Sequence, residues 1–187
     1  MTVKFDPQSN IYQNAHTGDS DIVVIETASI EHMPHAVFMF LEMVEHGIYE
    51  DTPFHINANH IIQAGPSPQP GSPAYELAIK EPSLANVIYQ EYSPDMEHNK
   101  YTLGFPGRPG GPDFYINLKD TRELHGPGGQ ASHYGDVVPD ADPCFARIVE
   151  GFRVIDRLRR ARVNGVSHVV EHPAKIHKMK VLGSTYD

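Results

Sequence analysis

The hydrophobic positions of this chain fall into two periods, and switching between them locates most of its elements. The run DIVVIETA (Asp21–Ala28) is apolar, β-branched and of strand length, which predicts a core strand. MPHAVFMFLEMVEHG predicts a helix instead. Pro34 suits a first turn, Val37, Phe38, Leu41 and Val44 fall on one face, and Gly47 is a left-handed stop. YEDTPFHINANHIIQAG is a turn followed by a β-like stretch ending at Gly65, and PSPQPGSPAYE then predicts an exposed loop. SLANVIYQ, KYTLGF and GPDFYINL are short, rich in β-branched and aromatic residues and separated by Pro and Gly, so each predicts a strand. After a glycine-rich stretch, CFARIV predicts another strand. EGFRVIDRLRRAR predicts a second helix with Val154, Ile155 and Leu158 on one side. KIHKMKVL predicts a final edge or closing strand through Ile176, Met179 and Val181. Many short strands with two helices imply a barrel or sandwich whose helices cover the open ends.

Composition narrows the class. A chain of 187 residues suits one domain, residues 1–187, with a proper core. Hydrophobic residues make up 40% and charged residues 21%, and no window of about 18 uninterrupted apolar residues exists, which excludes a helical membrane span in this chain. The start, MTVKFDPQSN, has neither the basic opening nor the apolar core of a signal peptide, and no compartment is legible. A formal charge of −9 argues against nucleic acid as a partner, because tracking phosphates needs concentrated Lys and Arg. The one basic cluster, Arg157, Arg159, Arg160 and Arg162, is read as the solvated end of a helix. A single cysteine, Cys144, excludes an internal disulfide, and its setting in DPCFARIV is that of a small hydrophobe opening a buried strand.

Twelve histidines raise the question of metal. His32 with His35, or His55 with His60, would be the pairs, but His32 and His35 straddle Pro34 and no His-Glu-x-x-His is present. Surface or hydrogen-bonded histidine is the preferred reading. Glu42, Glu45 and His46 in EMVEH form half of a di-metal carboxylate pattern whose second half is missing, so they are read as a solvated face. GRPGGP and HGPGGQ neither follow a strand and open a helix nor carry Gly-Lys-Ser/Thr, which excludes a phosphate cradle. No metal and no cofactor is expected.

The order of these pieces resembles the cyclophilin family of peptidyl-prolyl isomerases over roughly Asp21 to Leu182. TPFH (Thr52–His55) and IIQAG (Ile61–Gly65) are similar to the family's Phe-His-Arg segment and its following Gln-Gly-Gly. GPDFYINL stands where the family has Gly-Ser-Gln-Phe-Phe-Ile. ELHG (Glu123–Gly126) resembles Trp-Leu-Asp-Gly, and CFARIVEGFRVIDRL resembles the family's Val-Phe-Gly-Lys-Val strand and following helix. The resemblance implies a mainly β fold: a closed antiparallel β-barrel of about eight strands with two capping helices. The glycine-rich loops would rim its groove.

It also implies a substrate-binding set: His55, His60, Ile61, Gln63, Leu103, Gly104, Asp113, Tyr115, Leu124 and Asp142. Gln63 matches the family's active-site glutamine, with one residue fewer between positions 56 and 63. His60, Ile61 and Tyr115 would form the apolar floor. Asp113 replaces a second glutamine, Leu103 and Gly104 replace an Ala-Asn pair, Glu123 replaces tryptophan and Asp142 replaces histidine. The family's arginine becomes Ile56.

That substitution bears on activity. Rotation about Xaa-Pro is slow because the twisted imide loses resonance. Removing one preorganised donor that stabilises such a state costs about 10²- to 10³-fold in rate. Isoleucine donates nothing, and rotation needs no general acid or base that histidine could supply. The expectation is therefore a module that binds a proline-containing peptide or protein segment, or serves as a subunit of a larger assembly, with weak or absent isomerase activity. The alternative is a working isomerase in which Arg108 or Arg122 reaches the vacated position. A third class is a histidine-rich metalloenzyme on a β-barrel.

Overall fold

Strands form where apolar and β-branched residues alternate, and their pairing builds one curled sheet. In the chain's computed structural model, which describes residues 1–12, 21–66, 73–82, 91–106, 112–129 and 141–183, the strands are β1 (Thr2–Lys4), β2 (Val24–Thr27), β3 (Thr52–Asn57), β4 (Ile61–Ala64), β5 (Thr102–Gly104), β6 (Phe114–Asn117), β7 (Cys144–Glu150), β8 (Val163–Asn164), β9 (Val169–Val170) and β10 (Lys175–Lys178). Eight of them run in the order β1-β10-β3-β4-β6-β5-β7-β2, each pair antiparallel. β8 and β9 form a hairpin that attaches to β3 at Ile56.

The two ends of the path meet. Thr2 bridges Ile22, the Val3 N–H donates to the Asp21 carbonyl at 2.8 Å, and the Val23 N–H donates to the Met1 carbonyl at 2.8 Å. The N-terminal strand shows no sequence pattern because it is three residues long, yet it removes an open sheet edge. The expected eight-stranded antiparallel architecture is thus the observed one. The segment SLANVIYQ lies outside the described residues.

Four helices are described: α1 (Pro34–Glu45), α2 (Pro73–Lys80), α3 (Arg122–His125) and α4 (Phe152–Leu158). α2 corrects the end of the loop expected over PSPQPGSPAYE, from Pro73 to Glu76, while residues 67–72 lie outside the described residues. Pro73 opens the helix, Glu76 stands in its first turn and Lys80 in its last, matching the helix dipole at both ends. The apolar face of α1 also differs from the expected one. Ala36, Val37, Phe40, Met43 and Val44 are buried, whereas Phe38 is 50% exposed. Phe40 meets the rings of Tyr49, Phe114 and Phe145 at centroid distances of 5.6, 5.9 and 4.8 Å. Helix α4 buries Val154, Ile155 and Leu158, as its pattern predicts. In the last segment Ile176 and Met179 are buried, but Val181 lies beyond β10 and is exposed.

The basic cluster divides. Arg159, Arg160 and Arg162 are exposed. Arg157 instead lays its guanidinium 3.3 Å from the centre of the Phe5 ring and donates to Asp21 at 3.2 Å, tying α4 to the N-terminal segment. No helix is long and apolar enough to cross a membrane among the described residues.

Candidate functional site

Alternation on β4, β5 and β6 gives the sheet two chemically distinct faces. Ile62, Ala64, Leu103, Phe114 and Ile116 point into the hydrophobic core. Ile61, Gln63, Thr102, Gly104, Tyr115 and Asn117 therefore occupy the outer face. Of the predicted site residues, Leu103 is the one this places elsewhere: it is fully buried in the core, so its side chain takes no part in the site.

The outer face is organised around Asp113. Its Oδ2 accepts a hydrogen bond from Gln63 Nε2 at 2.8 Å and stands 3.5 Å from His55 Nε2. The carboxylate lies over the backbone at Gly65, where a Cβ would come within 2.0 Å of it. A side chain at position 65 would displace Asp113, so glycine is needed here for close approach. The β3–β4 register brings His55 to the same place. Phe54 pairs with Ala64 and Ile56 with Gln63, so two residues, His55 and Ile56, oppose one on the partner strand. Ile56 also borders a small cavity with Leu158, Ala161, Val170 and Ala174.

Beneath this level the floor is a closed hydrogen-bonded layer. Tyr115 packs its hydroxyl over Gly104, where a Cβ would meet it at 2.5 Å. That hydroxyl donates to Asp142 Oδ2 at 3.1 Å, and His125 Nδ1–H donates to the same oxygen at 2.8 Å. Tyr115 and Asp142 are 0% and 1% exposed. Burial, reinforced by the Asp142 charge, pushes the Tyr115 hydroxyl well above its usual range.

Three imidazoles extend the layer. His125 stacks on Tyr115 at 4.7 Å, on His98 at 5.8 Å and on His60 at 5.6 Å. His98 is wholly buried, and neither ring nitrogen has a hydrogen-bond partner among the described residues. Burial, then the neighbouring His125, pulls its pKa down to about 4. His60 is lowered too, chiefly by burial, although its Nδ1 lies 2.7 Å from the Ala58 carbonyl. Sequence reasoning missed His98 and His125. His98 comes from an irregular segment and His125 from the end of the short helix α3, and only tertiary packing brings them to Tyr115.

The remaining candidates fall as follows. Leu124 is 48% exposed on α3, and Ile61 is 8% exposed. Arg122 is tied to Asp120 Oδ2 at 2.6 Å and to Glu97 at 3.2 Å, so its guanidinium is engaged on α3's own side, and Arg108 lies outside the described residues. His32 faces Asp95 and His35 faces Glu91, each at a separate carboxylate. No group of three or more histidine, cysteine, aspartate or glutamate side chains is gathered to hold a metal among the described residues. Cys144 is buried, and burial pushes its thiol up to about 12, the opposite of what a nucleophile needs. The arrangement offers a half-exposed carboxylate, carboxamide and imidazole above a sealed aromatic floor. It has hydrogen-bonding capacity for a peptide and no activated nucleophile.

The family model for cyclophilin type peptidyl-prolyl cis-trans isomerase/CLD matches residues 16–181. No curated protein matches the sequence. Among solved structures, the chain is similar to a cyclophilin type peptidyl-prolyl cis-trans isomerase of Cryptosporidium parvum in two crystal structures. The one in the presence of the dipeptide Ala-Pro shares 17% identity at a TM-score of 0.62, over 98% of this chain and 100% of that one. The second shares 19% identity at 0.59, over 83% and 88%. At such identities the likeness is one of fold.

Proposed function

We propose that this chain, which belongs to the cyclophilin-type peptidyl-prolyl isomerase family, binds proline-containing peptide segments on the outer face of β4 and β6 and twists them slowly or not at all. The observation that supports this reading is the pairing of Ile56 with Gln63, since the sequence resemblance aligns Ile56 with the family's arginine and Gln63 with its glutamine. A peptide needs only exposed hydrogen-bonding groups and an apolar contact to be held. Gln63, His55 and Asp113 supply the first, and Ile61 and Leu124 the second. Isomerisation needs more, namely a donor preorganised for the twisted imide. Arg122 is a poor substitute, being held by Asp120 and Glu97. Crystals of the Cryptosporidium protein obtained in the presence of Ala-Pro support a proline peptide as the ligand class.

The test pairs two measurements on one sample. NMR titration with an Ala-Pro-containing tetrapeptide should shift Gln63, Asp113 and Ile61 amides. Exchange spectroscopy on the same peptide should show cis–trans rates within about tenfold of the free peptide, given the ~10²- to 10³-fold normally contributed by one such donor. Exchange accelerated to the level of an ordinary family member would defeat the reading. An absence of shifts would defeat its binding half.

A further inference from the structure

We propose, resting on the peptide-binding reading above, that Asp113 makes this site selective for proline segments carrying a lysine or arginine beside the proline. The carboxylate is fixed from three sides: by Gln63 Nε2 at 2.8 Å, by His55 Nε2 at 3.5 Å and by the Gly65 backbone, which leaves room for it and for no Cβ. Its described polar contacts run to Oδ2, while Oδ1 packs over the Gly65 backbone. Its side chain is 30% exposed, accessible yet partly shielded from solvent.

Among the described residues, no permanent cation is paired with the charge there. Elsewhere four described cations are paired with acids: Arg122 with Asp120 and Glu97, Arg147 with Glu26, Arg157 with Asp21 and Lys100 with Asp156. At Asp113 the one ionisable partner among the described residues is the His55 imidazole. The carboxylate's field is felt as far as Tyr49, whose buried hydroxyl it helps to raise. A fixed, partly exposed carboxylate beside the glutamine of the site, with no lysine or arginine paired to it among the described residues, is complementary to a cationic side chain and repels an anionic one. A neutral glutamine at this position would distinguish neither.

The experiment uses the full chain and tetrapeptides differing only in having Lys or Glu on one side of the proline or the other, with dissociation constants read by NMR titration. Lys should bind about twofold to fivefold more tightly than Glu at one or both flanks, the range of a partly exposed ion pair. Asp113→Asn should erase the preference, and Asp113→Lys should invert it. Equal binding of the Lys and Glu peptides by the unmodified protein would overturn the inference while leaving peptide binding intact. So would a preference that survives in Asp113→Asn. Failure of every peptide to bind would instead overturn the binding reading, and this inference with it.

Discussion

Tyr115 donates its hydroxyl proton to Asp142 across 3.1 Å, and both side chains are sealed from solvent under the outer face of the sheet. The carboxylate also takes His125 at 2.8 Å, so one buried anion satisfies two donors from different segments. Asp142→Ala should therefore cost about 2–5 kcal/mol, because it leaves buried donors without their charged acceptor. Tyr115→Phe should cost less, about 1 kcal/mol, since His125 still compensates Asp142. Urea denaturation of both variants checks this, and equal losses would mean that Asp142 serves the tyrosine alone.

His98 makes the fold acid-sensitive. Its pKa is pulled from 6.5 to about 4, so the folded state binds its proton less readily than the unfolded chain. The stability this confers is complete above about pH 6.5 and is lost as pH falls from there toward 4. A shift of that size corresponds to about 3 kcal/mol. Urea midpoints measured between pH 7 and pH 4 should fall, and His98→Gln should flatten part of that fall. An unchanged slope in the variant would assign the acid sensitivity to other groups.

Helix α1 tests where its apolar face lies. Phe40→Ala, which removes a ring packed among Tyr49, Phe114 and Phe145, should cost about 3–5 kcal/mol. Phe38→Ala should change stability by under about 1 kcal/mol, because that ring is half exposed. Thermal or urea unfolding decides between the two faces.

The same helix shows what was legible in the sequence. Its existence and bounds could be read from Pro34 and Gly47, but residues 36–41 are all apolar, and an unbroken apolar run does not fix the rotational phase of a helix. The fold class was readable from TPFH, IIQAG, GPDFYINL and CFARIV taken together. Gln63 and Tyr115 do share the outer face. Leu103 was misplaced because the neighbouring pair was carried over together, whereas alternation turns Leu103 inward and Gly104 outward. The bulge that sets His55 beside Ile56 leaves no mark in the residues, since it arises from pairing between strands. His98 and His125 were invisible for the same reason: their role depends on which ring they stack against.

Glu91 caps α1 from a distant segment. No residue at the start of the helix supplies a side-chain cap, and the Glu91 carboxylate accepts from the backbone N–H groups of His35 and Ala36, both at 2.8 Å. Glu91→Ala should lower stability by about 1–2 kcal/mol, and Glu91→Gln by less, since an amide oxygen still accepts while the favourable charge at the helix start is lost. Raised amide exchange at His35 and Ala36 in the alanine variant is the local signature to look for.

Ile56→Arg tests the proposed loss of the family's donor directly, and the surroundings of Asp113 set its outcome. Ile56 pairs with Gln63, whose amide is already bound to Asp113, so an introduced guanidinium arrives opposite a carboxylate. Arginine pairs with carboxylate through two parallel hydrogen bonds, a geometry that would hold it against Asp113 and away from a substrate imide. Ile56→Arg alone is therefore expected to raise exchange of an Ala-Pro peptide by a small factor, well short of the ~10²- to 10³-fold that one preorganised donor contributes. Ile56→Arg combined with Asp113→Asn removes the competing charge while keeping a hydrogen-bonding side chain beside Gln63, and should exceed the single variant by about tenfold if the guanidinium then reaches the imide. Exchange spectroscopy on the parent, both single variants and the double variant gives the coupling. Rates in the double variant no higher than in Ile56→Arg would show that the sealed Tyr115 floor, rather than the lost cation, limits turnover.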